Sequence, residues 1–322
     1  MTRTIVGILR GGTSSEYNLS LKTGAAMIDA LPQEKYETRD IFIDRSGMWH
    51  LRGSPTTPTR ALAQIDVALN AVHGGIGEDG TIQRILEGSG IPYAGARALS
   101  AGLALNKIRA REILQRARIK MPRAISFTLH NDLNTADMAR VVFAQFGPPY
   151  IIKPPSEGAG SGIQMAPHIV DLPEKIADVL DAYGAALVEE YIQGEEATVG
   201  LIENYRGEDL YALPPVHVEF EGSHIRLDHH EEGSIRHTVP SRFTDEQKRA
   251  LIELARAAHR ALDLLHFSRA DLMVTPRSIY LLEINTVPGL YKGAAMPHML
   301  ESVGSSVSEF LEHAIHLAKN TR

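Results

Sequence analysis

Two short apolar segments in the last third of the chain carry a compact set of oxygen-bearing side chains. The segments are residues 270–274 and 279–282; Asp271 lies in the first, Glu283 directly follows the second, and Asn285 comes two residues later. Side chains alternate along a strand, so Glu283 and Asn285 share a face, and a turn with an odd number of residues would place Asp271 opposite Glu283. Two carboxylates and an amide suit a hard cation such as Mg2+, whose shell is often completed by substrate phosphates. The hairpin therefore indicates nucleotide chemistry, with an ordinary charged hairpin as the open alternative.

A lysine followed by closely spaced glycines forms a second candidate site. Lys153 ends a short apolar strand, and Gly158, Gly160 and Gly162 follow shortly after it. The amides of such a loop can cradle phosphates, while the neighbouring lysine supplies a positive charge. The segment is predicted to bind phosphate, and a flexible hairpin tip is the alternative interpretation.

Alternating strands and helices near the N-terminus predict a parallel open sheet. Residues 4–9 form an apolar strand, followed by a glycine and serine turn that ends at Glu16 and by apolar residues at helical spacing. Residues 67–72 lead in the same way through a glycine-rich turn, which starts at His73, into a helix. Ligands of such sheets collect beyond the carboxyl ends of the strands, where Glu16 and His73 lie. Neither turn fits the dinucleotide fingerprint or the Walker loop.

Composition limits the class of protein. The chain has 322 residues, which predicts two or three domains. The formal charge of -6 gives no basic excess, so binding of nucleic acid through a general positive field is not expected. Cysteine is absent, which excludes disulfides and thiolate chemistry and fits a reducing cytoplasm. No segment approaches the length of a membrane span, so we expect a cytoplasmic protein without a membrane partner.

The remaining chain adds carboxylates, a polar segment and two capped helices. Glu189 lies near the end of an apolar strand, and Glu196 begins the next one after a glycine hinge. Residues 219–237 are polar and contain four histidines, whose spacing matches no zinc motif, so a solvated loop or lid is predicted. Amphipathic helices with capping residues are predicted to begin after Thr244 and after Ser306.

In their order and spacing these motifs resemble the D-alanine-D-alanine ligases of the ATP-grasp superfamily over essentially the whole chain. The resemblance implies an α/β fold, α+β in the ATP-binding part, with three domains at residues 1–95, 96–192 and 193–322. The first would hold the first D-alanine, the second would carry the glycine loop, and the third would carry the lid and the metal site. The implied activity is ATP-dependent joining of two D-alanines through an acyl phosphate, for peptidoglycan precursors, by a cytoplasmic homodimer.

The resemblance also implies which residues bind ATP and metal. Glu189 would lie at the adenine and Glu196 at the ribose. The complete set expected to bind ATP comprises Lys107, Lys153, Gly158, Gly160, Glu189 and Glu196. Two Mg2+ ions, or Mn2+, would be carried by Asp271, Glu283 and Asn285.

The amino-acid sites are implied in the same way. Glu16 would take the ammonium of the first D-alanine, with His73 close by. Arg269 and the backbone amide of Gly289 would stabilise the oxyanion that forms when the second amine attacks. Glu16, Arg269 and Gly289 are thus the expected catalytic residues.

The lid departs from the family pattern. The family has a serine in the glycine loop that latches the closed site, and the matching position here is Ala159. The lid tyrosine has no counterpart in residues 219–237, so closure is expected to use other contacts. The pattern at residues 231–234 is closer to D-alanine-D-lactate ligases, in which a lid histidine is linked to the choice of a hydroxy acid; His229 or His230 could play that part.

The second-substrate pocket departs as well. Ala294 stands where the family has a serine that holds the second carboxylate, and Lys292 is close enough in sequence to replace it. Lys292 and Ala294 are therefore the predicted second-substrate residues. The second substrate stays open among D-alanine, D-lactate, D-serine and another amino acid. A catalytically silent relative that binds nucleotide or amino acid is a further alternative.

Overall fold

The structure is a computed structural model that describes residues 3–158, 160–220 and 235–320, without the side chain of Phe220. Ala159, His229, His230 and the pattern at residues 231–234 lie outside the described residues. The expectations about the latch and the lid histidine therefore stay predictions.

The secondary structure alternates strands and helices in the first part of the chain and becomes richer in strands later. The strands are β1 (Thr4–Gly11), β2 (Tyr36–Ile43), β3 (Trp49–Leu51), β4 (Ser54–Thr56), β5 (Val67–Asn70), β6 (Tyr93–Ala94), β7 (Ala124–Thr128), β8 (Tyr150–Lys153), β9 (Gln164–Ala166), β10 (Ala185–Glu190), β11 (Glu195–Tyr205), β12 (Glu208–Ala212), β13 (Val216–Phe220), β14 (Ile235–Thr238), β15 (Phe267–Val274) and β16 (Ile279–Asn285). The helices are α1 (Tyr17–Ala30), α2 (Pro58–Leu62), α3 (Thr81–Gly88), α4 (Ala98–Leu105), α5 (Lys107–Arg116), α6 (Thr135–Gln145), α7 (Leu172–Tyr183), α8 (Asp245–Ala261), α9 (Ala295–Ser302) and α10 (Val307–Asn320). In the part of the chain that the structure describes, none of these helices has the length and apolar character needed to cross a bilayer.

The first sheet has the order β4-β3-β2-β1-β5-β6. Strands β2, β1, β5 and β6 are parallel, as predicted, and the antiparallel strands β3 and β4 extend the edge beside β2. Val6 and Ile8 pack in the core under α1 and α10, whereas Leu9 faces the core under α2 and α3. Helices thus cover both faces, which explains why these strands are almost continuously apolar.

The second sheet has the order β7-β10-β8-β9 and antiparallel pairing throughout. Helices α6 and α7 cover one face, where Ile152 and Val188 are fully buried. Because side chains alternate along a strand, Ile151, Lys153 and Glu189 point away from this core. They face the cleft described below.

The third sheet has the order β14-β13-β11-β15-β16, with β12 beside β11. Helix α8 packs on one face, where Leu251 contacts a core that includes Ala270 and Leu272. Alternation directs Arg269 and Asp271 to the opposite face. The open faces of the second and third sheets therefore supply the two walls of one cleft.

The predicted capping box at the start of α8 is confirmed. The Thr244 hydroxyl accepts a hydrogen bond from the Gln247 amide at 3.2 Å, and the Gln247 side chain accepts one from the Thr244 amide at 2.9 Å. These bonds satisfy two of the backbone donors that a helix N-terminus leaves unpaired. The helix that covers the third sheet therefore begins at a position set by its own sequence.

Thr244→Ala should lower the free energy of unfolding by about 1 kcal/mol, because it removes the hydroxyl that caps α8. The measurement is urea unfolding followed by circular dichroism. Thr244→Ser keeps the hydroxyl and should unfold close to wild type. Equal losses in the two variants would show that the methyl group, and not the capping bond, stabilises this end of the helix.

Candidate active site

The β15–β16 hairpin brings the predicted metal ligands onto the cleft face. Asp271 pairs directly with Glu283, and Asn285 pairs with Arg269. Directly paired residues point to the same side of a sheet, so these four side chains share one face. The predicted opposition of Asp271 and Glu283 is confirmed.

The odd number of turn residues on which that opposition was expected to depend is wrong. Val274 pairs with Ile279, so the turn at residues 275–278 has an even number of residues. A bulge after Asp271 corrects the register, because Leu272 pairs with Leu281 and leaves Leu282 as the extra residue before Glu283.

The bulge also changes which side chains face the cleft. Leu282 and Glu283 are consecutive, yet both line the cleft, while Leu281 and Ile284 on either side are buried in the core. A regular strand would send one of each neighbouring pair to the opposite face. The bulge therefore adds an apolar side chain beside a charged candidate ligand.

Asp271 is the most constrained of the candidate ligands. Its side chain is nearly fully buried, and it accepts hydrogen bonds from Arg269 Nε at 3.0 Å and Arg269 Nη2 at 2.8 Å. The Thr198 hydroxyl donates at 2.7 Å and the Asn285 amide nitrogen at 3.1 Å. A buried carboxylate requires such compensation, since an unpaired charge in this position would be strongly destabilising.

The donor set fits the predicted magnesium. Asp271, Glu283 and Asn285 offer carboxylate and amide oxygens on one face, and hard oxygen donors are what Mg2+ prefers. Within residues 3–158, 160–220 and 235–320, no group of three or more His, Cys, Asp or Glu is arranged to hold a metal. The amide and the two carboxylates are thus the set to test.

Lys107 joins the glycine loop to the hairpin. It is the first residue of α5, and its backbone amide donates to the Pro155 carbonyl at 2.7 Å. Its ammonium donates to the Glu157 carbonyl at 2.5 Å and lies 3.7 Å from a Glu283 oxygen. The predicted phosphate lysine is therefore held at the cleft by contacts with both walls.

Lys153 is held by a buried ion-pair network. Its ammonium lies 2.5 Å from Oε2 of Glu189, and the other oxygen of this carboxylate accepts a hydrogen bond from Arg111. Burial alone would raise the pKa of Glu189, but the neighbouring Lys153 and Arg111 hold it below its ordinary value. Arg111 was not predicted, although it lies one helical turn after Lys107, on the same side of α5.

The cleft between the two sheets has an apolar part and a charged part. Its empty volume, including the open mouth, is about 810 Å³. Its apolar lining includes Ile151, Ile163, Ile192, Met273 and Leu282. Its charged lining comprises Lys107, Lys153, Glu157, Glu189, Glu190, Glu196 and Glu283. The predicted nucleotide residues Gly160, Glu189 and Glu196 are thus brought together with both lysines.

Glu16, in the turn between β1 and α1, lies beside the glycine loop. It precedes α1, and its carboxylate lies against two glycines from separate loops. A Cβ atom added to Gly74 would lie 2.5 Å from Oε2 of Glu16, and one added to Gly158 would lie 2.3 Å away. A side chain at either position would displace the Glu16 carboxylate, and Glu16 therefore contacts the glycine loop directly.

The environment of Glu16 favours its protonated form. Burial, followed by the negative charges of Glu78 and Glu283, raises the pKa of Glu16 to about 8, while Lys107 and Arg269 act in the opposite direction. Perturbed carboxylates of this kind are typical of functional sites. A cationic ligand group beside Glu16 would favour the ionised form.

His73 lies close behind Glu16 as a neutral side chain. Its Nε2 is 2.8 Å from the Thr23 hydroxyl, and burial together with the charge of Arg269 lowers the pKa of His73 to about 4. The imidazole is therefore uncharged at neutral pH and can orient a ligand through hydrogen bonds.

Glu78 is a site residue that was not predicted. Its carboxylate accepts hydrogen bonds from the Gly74 amide at 2.8 Å, the Thr286 hydroxyl at 3.1 Å and the Val287 amide at 3.2 Å. It therefore links the turn that follows β5 to the segment that follows the metal hairpin. The sequence contained a signal for this role, since an acidic residue among glycines can accept hydrogen bonds from nearby backbone amides.

The predicted oxyanion residue Gly289 and the predicted second-substrate residues lie on the segment after β16. A Cβ atom on Gly289 would lie 2.9 Å from the ring of Tyr291 and 3.4 Å from the Cβ of Ala294. Ala294 is buried and Lys292 is exposed. Tyr291 was not predicted, and it packs directly on the expected oxyanion residue.

Glu16→Gln should stabilise the protein increasingly as the pH rises from 5 to 9. The folded state binds a proton at Glu16 over a range in which the unfolded chain has released it, so the free energy of unfolding of the wild type falls across this range. Glutamine mimics the protonated acid and does not titrate. The measurement is the difference in thermal midpoint between variant and wild type at several pH values; a difference that stays constant would contradict the raised pKa.

Comparisons with known proteins agree with these observations. The family model described as D-ala D-ala ligase N-terminus matches residues 52–96, and the one described as D-ala D-ala ligase C-terminus matches residues 113–316. The D-alanine-D-alanine ligase of Desulforudis audaxviator is 33% identical over 317 residues, which cover 98% of each chain. That of Carboxydothermus hydrogenoformans is 32% identical over 323 residues, covering 98% of this chain and 99% of the relative.

Solved structures are similar over the whole chain. The Bacillus anthracis D-alanine-D-alanine ligase complexed with ATP superposes with a TM-score of 0.80 at 28% identity, covering 98% of this chain and 97% of that one. The VanG D-Ala:D-Ser ligase from Enterococcus faecalis gives 0.86 at 26% identity, covering 98% and 100%. The α/β ATP-grasp fold is confirmed, and the chain belongs to the D-alanine-D-alanine ligase family.

Proposed function

We propose that this chain joins two molecules of D-alanine in an ATP-dependent reaction that releases ADP and phosphate and supplies peptidoglycan precursors. The relatives named D-alanine-D-alanine ligase and the similar structure complexed with ATP support this proposal. One observation carries it: Lys107, Lys153 and Glu283 line the same cleft, and Glu283 pairs with Asp271 on the hairpin. That arrangement suits transfer of a phosphoryl group.

ATP would occupy the cleft between the second and third sheets. The apolar lining around Met273 and Leu282 suits the base, and Glu196, which lines the same cleft, would accept hydrogen bonds from the ribose hydroxyls. Lys107 and Lys153 would offset the phosphate charge, and the amides of the glycine loop would bind phosphate oxygens. Glu189 holds Lys153 in position, in addition to its expected place near the adenine.

Asp271, Glu283 and Asn285 would hold magnesium. When bound, the metal supplies positive charge that stabilises the phosphate groups during transfer. Arg269 and Asn285 donate hydrogen bonds that hold the Asp271 carboxylate in place. This metal ligand is therefore positioned by the protein before a metal binds.

The two amino acids would meet beyond the cleft. Glu16 would bind the ammonium of the first D-alanine, with neutral His73 beside it. The carboxylate of this D-alanine does not react with an amine at neutral pH, but attack on the terminal phosphate of ATP makes it an acyl phosphate. The second amine then attacks, and Arg269 with the Gly289 amide would stabilise the negative oxygen that develops.

Some features of this proposal go beyond the site. We also propose three domains, a homodimer and a cytoplasmic location. The domains comprise residues 1–95, 96–192 and 193–322. Lys292 and Ala294 would face the second substrate, whose carboxylate Lys292 would bind.

The direct test measures phosphate release and dipeptide formation with ATP, Mg2+ and D-alanine. A panel that replaces the second substrate by D-serine, D-lactate and other amino acids tests its identity. We expect D-alanyl-D-alanine as the main product. No phosphate release with any D-amino or D-hydroxy acid would reject the enzyme proposal.

Glu283→Gln should reduce turnover at least about 100-fold, because the variant loses a charged metal ligand at the phosphoryl-transfer site. The measurement is kcat for dipeptide formation over a range of Mg2+ concentrations. Glu208→Gln, an exposed change on β12 of the same sheet, serves as the control and should keep wild-type activity. Near-normal turnover in Glu283→Gln would rule out its role as a ligand.

Leu282→Ala should raise the KM for ATP by about 5- to 30-fold, because about 1–2 kcal/mol of apolar contact with the base is lost. The kcat at saturating ATP should change little, since Leu282 adds apolar surface and no charge. Leu129→Ala, at a residue that is 56% exposed, is the matched control. An unchanged KM for ATP would show that the bulge does not shape the nucleotide site.

A further inference from the structure

The strand register places His237 on the face that carries the candidate ligands. His237 on β14 pairs with Val218 on β13, which pairs with Glu196 on β11, which pairs with Met273 on β15. Directly paired residues point to the same side of a sheet, and Met273 and Asp271 are two residues apart on one strand. The imidazole of His237 therefore lies on the cleft side of the third sheet.

A hydrogen bond fixes the orientation and the tautomer of this imidazole. Nδ1 of His237 lies 3.0 Å from the carbonyl oxygen of Gly293. A carbonyl can only accept, so Nδ1 carries the proton and Nε2 of the neutral ring is a proton acceptor. Among the described residues, Nε2 has no hydrogen-bond partner. Gly293 directly precedes Ala294, so this hydrogen bond lies one residue away from a predicted second-substrate residue.

The surroundings of His237 lower its pKa. It is half-buried, and burial is the main cause that lowers its pKa below the ordinary histidine value. The Gly293 bond and the Asp271 carboxylate on β15 oppose this effect, while Arg269 on β15 and His298 on α9 reinforce it. The rings of His237 and His298 are 6.3 Å apart. A neutral imidazole at physiological pH can receive a proton.

We propose that His237 is the general base that removes a proton from the ammonium of the second amino acid. The inference rests on the proposed function and names a further catalytic residue in the same site. An ammonium has no lone pair and cannot attack a carbonyl carbon until it loses a proton. None of the predicted site residues was expected to remove that proton.

The step balances in protons and electrons. Nε2 takes one proton from the ammonium, and the freed lone pair of the amine forms the new C–N bond at the acyl carbon. The bond between that carbon and the phosphate oxygen breaks, and phosphate leaves with the electron pair. The amine nitrogen loses its second proton to the departing phosphate, and His237 later returns its proton to solvent.

The test separates proton removal from acyl phosphate formation. Hydroxylamine attacks an acyl phosphate as a neutral nucleophile, so its product, the hydroxamate of D-alanine, needs no general base. His237→Asn keeps an amide that can donate to Gly293 but cannot accept a proton. We expect dipeptide formation to fall at least about 100-fold, while ATP-dependent hydroxamate formation at pH 7.5 stays close to wild type.

His298→Asn is the matched control, because it changes the neighbouring imidazole without touching the Gly293 bond, and it should keep both activities. His237→Gln serves as a second variant if His237→Asn fails to fold. Added imidazole should restore part of the dipeptide rate in either one.

The outcomes discriminate between the proposals. Equal loss of hydroxamate and dipeptide in both His237 variants, without rescue by imidazole, would assign His237 a purely structural role and overturn the inference. Full dipeptide activity in a folded variant would overturn it as well. If wild-type protein forms neither product, the proposed function itself fails, which is a distinct result.

Discussion

The buried carboxylate of Asp271 is the constraint on which the rest of the site depends. A charge removed from water must be compensated, and here Arg269 on the same strand, Thr198 on β11 and Asn285 on β16 provide the compensation. These bonds hold the β15–β16 hairpin in a single register, and that register decides which side chains face the cleft. A bound cation would compensate the same charge, so cation binding and the position of the Arg269 guanidinium are physically linked.

Negative charge also explains how the first sheet is joined to this hairpin. Glu78 accepts hydrogen bonds from its own turn and from Thr286 and Val287, directly after the hairpin. Glu16, in turn, contacts the glycine loop at Gly158. Two carboxylates from one sheet thus contact segments that belong to the other two. Because the two carboxylates are close, the charge of Glu78 helps to raise the pKa of Glu16. A cationic substrate group beside Glu16 would stabilise its ionised form.

Much of this arrangement could be predicted from sequence because its signals are local. The alternation of apolar and polar residues identified the hairpin, the glycine-rich turns identified Glu16 and His73, and the capping box gave the start of α8. The bulge at Leu282 could not be predicted, since it depends on how two strands align and not on either strand alone. The same holds for the contacts of Arg111 and His237, because their partners, Glu189 and Gly293, are distant in sequence.

The predicted second-substrate residues lie on a short segment that other residues contact at two points. Gly289 is in contact with Tyr291 and Ala294, so a side chain at position 289 would displace its neighbours. On the other side, His237 holds the Gly293 carbonyl. The segment is therefore confined at both ends, and its backbone cannot adjust freely to a new substrate. If these residues bind the second substrate as proposed, a change in specificity is expected to come from the side chains at Tyr291, Lys292 and Ala294, because packing and one hydrogen bond restrain the backbone that carries them.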